Sequence, residues 1–135
     1  MAELIADMQK TITELEQSHE KTFVIIRQSL TDGVQALQSA TEYVLQAMAD
    51  NPNATLANAV NYLMLSGYVV GGWQMAKAAL LAQSRLTAGA NSDFYNAKLI
   101  TAQFYAEQIL PKANALLTLV KDGGDTAMAL AEEQF

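Results

Sequence analysis

The sequence predicts an all-α domain, an antiparallel bundle of about four helices joined by short turns. Apolar residues recur at spacings of three and four along most of the 135 residues, and no stretch alternates as a half-buried strand would. The composition agrees, with 51% apolar residues, two prolines and seven glycines, enough for one core with few interruptions. Residues 1–135 are therefore read as a single helical domain, with 122–135 as a C-terminal tail.

In the first helix Ile5, Met8, Ile12 and Leu15 form one stripe, with Glu3, Asp7, Lys10 and Glu14 on the other sides. The break at QSHE offers Ser18 as N-cap, with Glu20 in the following first turn. The second helix runs from about Glu20 to Ala49, because Phe23, Ile26, Leu30, Val34, Leu37, Thr41, Val44 and Met48 hold one phase. Gly33 in TDG predicts a kink within it. DNPN ends it, since Asn51 precedes proline and is pushed out of the α region.

Asn53 then predicts the cap of a third helix reaching about Leu86. Leu56, Val60, Leu63 and Val70 make one stripe, and Ala59, Tyr62, Val69 and Ala76 cover other sides. A helix apolar all round is expected at the centre of the bundle. TAGANSD is the next loop, with Ser92 or Asp93 capping a fourth helix. Its stripe of Tyr95, Leu99, Ala102, Ala106, Ile109, Ala113, Leu116 and Val120 keeps phase across Pro111, which predicts one helix kinked there. KDGGD stops it with glycine. The tail is too short to fold alone, and Met128, Leu130 and Phe135 are expected to pin it to the bundle.

Charge and composition exclude several functions. Residues 1–50 hold eight acids and three bases, 51–120 two acids and four bases, and 121–135 four acids and one base. No basic patch results, which argues against nucleic acid and against an anionic membrane as partner. The absence of cysteine removes disulfides, thiolate metal sites and cysteine nucleophiles, and suits a cytoplasmic setting. MAELIADMQK is charged and amphipathic, unlike a signal peptide. Asn51–Ala76 carries no charge, but its scattered asparagines would be costly in lipid, so a buried helix is the better reading.

No residue set announces a reaction. Glu16 and His19 have the E-x-x-H spacing of di-iron bundles, yet His19 is the only histidine, so the second half of such a site is missing. The same lone histidine leaves the serines and threonines without a relay partner. Glu42 and Glu107 are isolated acids, read as exposed or paired. GYVVGG lacks the lysine of a phosphate loop, and Asn53-Ala54-Thr55 reads as a cap rather than a glycan acceptor. Tyr62, Tyr68, Trp73, Phe94, Tyr95, Phe104 and Tyr105 are read first as core and second as a hydrophobic pocket. Catalytic, metal-ligating and cofactor-binding residues are accordingly all called absent from this chain.

Gly67, Gly71 and Gly72 remain, and together they cost a helix about 3 kcal/mol against alanine. Gly67 and Gly71 share a face that Ala78 and Ala82 continue, which predicts a close helix contact there. The expected partner is the fourth helix around Ala102 and Ala106, with Trp73 anchoring beside the contact. On this reading Gly67→Ala and Gly71→Ala overpack, at about 1–3 kcal/mol each.

NYLMLSGYVVGGWQMAKAAL followed by FYNAKLITAQFYAEQILPKANAL resembles the C-terminal extension of the acyl-CoA dehydrogenases in their 3-methylmercaptopropionyl-CoA dehydrogenase-like branch. The matching positions are Tyr62, Leu63, Leu65, Gly67, Gly72 and Trp73, then Phe94 through Pro111, and the closing ALAEEQF is similar too. The resemblance implies an accessory domain of an oxidoreductase of fatty acid metabolism. Its glutamate base and FAD belong to the preceding catalytic core, which would be the partner, and the extension would aid assembly or substrate access. A chain of this extent beginning at Met1 is read as an expressed fragment or an orphan domain. Two alternatives are a free-standing module that forms a homo-oligomer through the Gly67/Gly71 face, and a membrane-surface module like the extensions of very-long-chain acyl-CoA dehydrogenases.

Overall fold

The structure, a computed structural model, describes residues 1–122 and 124–134. Seven α-helices and a closing 3-10 turn (Glu132–Gln134) make up the described residues, which contain no strand. The helices are α1 (Ala2–Leu15), α2 (Lys21–Asp50), α3 (Pro52–Ala57), α4 (Ala59–Thr87), α5 (Ser92–Gln108), α6 (Lys112–Asp122) and α7 (Gly124–Ala127).

Tertiary hydrogen bonds give the directions. The hydroxyls of Thr41 on α2 and Tyr62 on α4 are 2.9 Å apart, while Val69 approaches Gly33, so α4 runs antiparallel to α2. Thr22 pairs with Gln103 and Ser39 with Lys121, so α5 and α6 run parallel to α2 and antiparallel to α4. Trp73 Nε1 donates to Thr11 Oγ1 at 2.8 Å, tying α1 to the other side of α4. The long helices α2 and α4 are thus flanked by α1 on one side and by α5–α6 on the other.

The stripes of α1 and α2 face this core. Met8, Ile12, Leu15, Phe23, Ile26, Leu30, Val34 and Leu37 are all buried, and they supply its bulk. The buried face of α4 is thinner in volume: Leu65, Val69, Gly72, Ala76, Ala79 and Ala82. Small residues there let three neighbouring helices approach one backbone.

Several expectations are corrected. α2 runs unbroken through Gly33 and ends at Asp50, one residue beyond the expected Ala49. Ser18 does not cap α2; Glu20 holds that position, and the Ser18 hydroxyl accepts only the Glu20 N–H. The third helix is two, α3 and α4, parted at Asn58. Asn51 rather than Asn53 is the first cap, with its Oδ1 accepting from Ala54 N and Pro52 at the first helical position, where a missing N–H costs nothing. Asn91, not Ser92 or Asp93, caps α5 by accepting from Asp93 N and Phe94 N.

The helix expected to bend at Pro111 is interrupted outright between Gln108 and Lys112. Pro111 has no N–H for the ladder, and Leu110 N donates to Tyr105 O, five residues back. That leaves the Ala106 carbonyl free, and the Ser29 hydroxyl of α2 donates to it at 2.6 Å.

At the end of α4, Gly89 takes φ of 81° and closes the helix, with Gly89 N bonded to Leu86 O and Ala90 N to Arg85 O. The stop expected at KDGGD falls partly on Gly123, outside the described residues, and Gly124 opens α7. The backbone of Gly124 lies directly on Ala54 of α3, and Asn51 Nδ2 donates to Asp125. This clasp holds the segment, whereas Met128 and Leu130, expected to pin it, are exposed; Phe135 lies outside the described residues.

Candidate functional site

The glycines of α4 do different things. Gly72 is buried against α6's entry turn, where an added Cβ would stand 2.7 Å from Leu110 Cδ2. Gly33 on α2 faces the same side chain, its Cβ position 3.0 Å from Leu110 Cδ1. Leu110 is 2% exposed and sits in a seat whose walls include two backbones without side chains. The interruption at Pro111 delivers it there, turning Leu110 inward where a continued helix would have used Ile109.

A Cβ on Gly71 would run into Tyr105 Oη. That hydroxyl donates to Tyr68 O at 3.1 Å, and burial, with Tyr68 beside it, raises its pKa above the ordinary tyrosine value. The glycine makes room for a phenol held neutral between α4 and α5.

Gly67 is different, and the expectation for it is corrected. Nothing lies within 4 Å of its Cβ position, so no helix approaches it. Trp73 also points away from α5, toward Thr11 of α1, with Lys77 Nζ 4.7 Å from its ring centroid. Ala102 and Ala106 are buried on α5, but the side chains at the glycines are Tyr105 and Leu110. We expect Gly67→Ala to stabilise the chain by about 1 kcal/mol through helix propensity. Urea denaturation decides it, and a lowered midpoint would show an unseen neighbour at this face.

The other candidates do not assemble into a reactive site. Glu16 and His19 are both exposed, and among the described residues no three His, Cys, Asp or Glu side chains are placed to hold a metal. Glu42 and Glu107 are exposed and accept from Gln38 and Gln103, one turn away on their own helices. The aromatic set forms no closed pocket, and its core assignment is corrected for two members: Phe94 and Phe104 are exposed, the other five half-buried.

Two concavities stand out. A cleft of about 530 Å³ lies where α3 and α7 meet α2, lined by Tyr43, Asp50, Asn51, Asp122 and Asp125 among others. A smaller one of about 320 Å³ lies between the start of α1 and α2, lined mainly by Met1, Ile5 and Leu45, with Glu42. Asp50, Asp122 and Asp125 outnumber Lys121 around the larger cleft and Glu42 is the acidic side chain of the smaller one, so a pyrophosphate such as that of FAD would meet carboxylates in both. Titration of the isolated chain with FAD is therefore expected to leave the flavin fluorescence unchanged, and saturable quenching would contradict this reading of the clefts.

What the surface does offer is apolar. Val60, Leu63 and Leu81 on α4, with Phe94, Ile100 and Phe104 on α5, are each between 55% and 70% exposed. Leu56 on α3 and Val60 and Leu63 on α4, expected in one stripe of a central helix, thus face outward, because the neighbours of α4 pack mainly on the sides toward α1, α2 and α5–α6.

The family described as acetyl-CoA dehydrogenase C-terminal like matches residues 4–131 of this chain. The chain is 32% identical over 103 residues to the 3-methylmercaptopropionyl-CoA dehydrogenase of Ruegeria pomeroyi, covering 76% of this chain and 18% of that protein. It is 30% identical over 117 residues to the broad-specificity linear acyl-CoA dehydrogenase FadE5 of Mycobacterium tuberculosis, covering 82% of this chain and 19% of that one. The chain thus spans less than a fifth of the length of these relatives.

Proposed function

Because the chain belongs to the acetyl-CoA dehydrogenase C-terminal-like family, we propose that it serves as the accessory C-terminal helical domain of an FAD-dependent acyl-CoA dehydrogenase. In this role it packs on a catalytic core and aids assembly or access of the acyl-CoA. It supplies neither the base nor the flavin site. The observation that carries the reading is the match over nearly the whole chain to so small a share of two acyl-CoA dehydrogenases. No helix among the described residues is long and apolar enough to cross a membrane. A cytoplasmic setting belongs to the same reading and rests on the absence of cysteine from the sequence.

The test is removal of this segment from the complete polypeptide that carries it. Bound flavin is expected to persist while the oligomeric mass, the thermal midpoint or KM for the acyl-CoA shifts. Loss of thioester oxidation at full flavin occupancy and unchanged assembly would give the domain a chemical role instead. No change in any of these quantities would remove the accessory role.

A further inference from the structure

We propose that the outer face shared by α4 and α5 is the surface by which this domain docks, and that its occupant is the catalytic core of the same polypeptide. This rests on the reading given above and names the interface. Val60, Leu63 and Leu81 stand along the outside of α4, and Phe94, Ile100 and Phe104 along the outside of α5. The two helices lie side by side and antiparallel, with Gly71 against Tyr105, and the exposed side chains of each lie off its buried stripe. Scattered exposed leucines are ordinary on a protein surface, but two phenylalanines and four aliphatic side chains on one pair of helices are the signature of a covered surface.

Charge distinguishes this face from the rest of the molecule. The chain carries −6 overall, yet α4 has no acid and α5 only Asp93 and Glu107, against the bases Lys77, Arg85 and Lys98. α4 and α5 together carry no more charged residues than α2 alone, which keeps the desolvation cost of burying their outer face low for its length. Its few cations are exposed, with Lys98 Nζ 5.1 Å from the Phe94 ring centroid, and fit a partner surface that sets carboxylates among apolar side chains. Gly67, with nothing within 4 Å of its Cβ position, leaves exposed backbone on the outside of α4.

Length selects the occupant. More than four-fifths of each relative lies outside the match. A core joined to this domain by the chain is present at an effective concentration in the millimolar range, about what a short tether provides. A second copy or a lipid surface has no such advantage, and both are outcomes of the test.

The experiment is radical or carbene footprinting of apolar side chains, read by mass spectrometry, on the complete polypeptide and on the isolated chain. In the complete polypeptide, labelling of Leu63, Phe94, Ile100 and Phe104 is expected to fall several-fold, while exposed Leu45 on α2 and Met128 in the tail label equally in both. Protection of another face, with these four labelled as before, overturns this inference and leaves the docking reading standing. No protection anywhere on the domain overturns the docking reading itself. Protection already present in the isolated chain that grows with its concentration assigns the face to a second copy. Protection that appears only with vesicles of phosphatidylcholine and phosphatidylglycerol assigns it to lipid. Either result overturns the inference. The double variant Leu63→Lys/Phe104→Lys gives an independent reading, because both side chains are already in water in the isolated chain. Its midpoint there is expected to stay put, while labelling of the face in the complete polypeptide returns to the isolated-chain level. Labelling that stays suppressed in that variant counts against the interface.

Discussion

Leu110→Ala is expected to destabilise the chain by about 3–4 kcal/mol, toward the upper end of leucine truncations in cores. The position of that figure within the range follows from the neighbours. A cavity costs least where surrounding side chains swing in to fill it, but Leu110 lies against Gly33 and Gly72, which have no side chain to move. Its 2% exposure shows that water does not reach the site to soften the loss. Urea denaturation of wild type and variant, with equal slopes, measures the difference. A loss under about 1 kcal/mol would mean that the turn at Pro111 relaxes and that the seat is not a rigid one.

Gly72→Val has the second largest expected effect, a destabilisation of about 3 kcal/mol. Even the first added carbon would meet Leu110 Cδ2 at 2.7 Å and Cδ1 at 3.1 Å. A leucine end is normally an accommodating neighbour, but this one is buried, and a Cβ added even at Gly33 on its far side would stand 3.0 Å from its Cδ1, so little room is left for it to retreat. Gly72→Ala meets the same wall with less volume, and the roughly 1 kcal/mol it regains in helix propensity brings its net cost to about 1 kcal/mol. The pair Gly72→Ala and Leu110→Ala should couple, because the methyl added at one position occupies space vacated at the other. The double variant is expected to be more stable than the sum of the single effects by about 1 kcal/mol. Strict additivity would show that the two positions do not share a space.

The opposite signs expected at Gly67 and Gly72 show where sequence reading ends. A glycine inside a helix announces that something pays its propensity cost, but not what approaches or whether anything does. The stripes of α1 and α2 were legible because polar residues alternate with Met8, Ile12, Leu15, Phe23, Ile26 and Leu30 and fix which side faces in. On α4 no charge lies between Ala59 and Ala76, so its pattern could not tell the buried Leu65 and Val69 from the exposed Val60 and Leu63. The caps were misplaced among Asn51, Asn53, Asn91, Ser92 and Asp93 because all five are competent. Pro52 carried the deciding signal for the first, since proline favours the position just after a cap. Leu110 was missed for a different reason. The stripe through Ile109 assumes unbroken helical phase, and the turn before Pro111 departs from it to bring in Leu110, although Ala113 and Val120 of the stripe remain buried beyond it. The exposed face of α4 and α5 was invisible because an apolar pattern shows that a surface wants covering, not which molecule covers it.

The seat of Leu110 also has a temporal consequence. Its walls come from α2 and α4 and its occupant from the turn between α5 and α6, three stretches far apart in the chain. Helices such as α2 and α4 gain their first contacts with near neighbours, whereas this contact waits until the long loops are closed. Truncating Leu110 should therefore leave the refolding rate nearly unchanged and speed unfolding, with a φ-value of about 0–0.3 in stopped-flow measurements. A φ-value near one would place the seat in the nucleus. On the expected result, Leu110 sets the lifetime of the native state and not the speed at which it is reached.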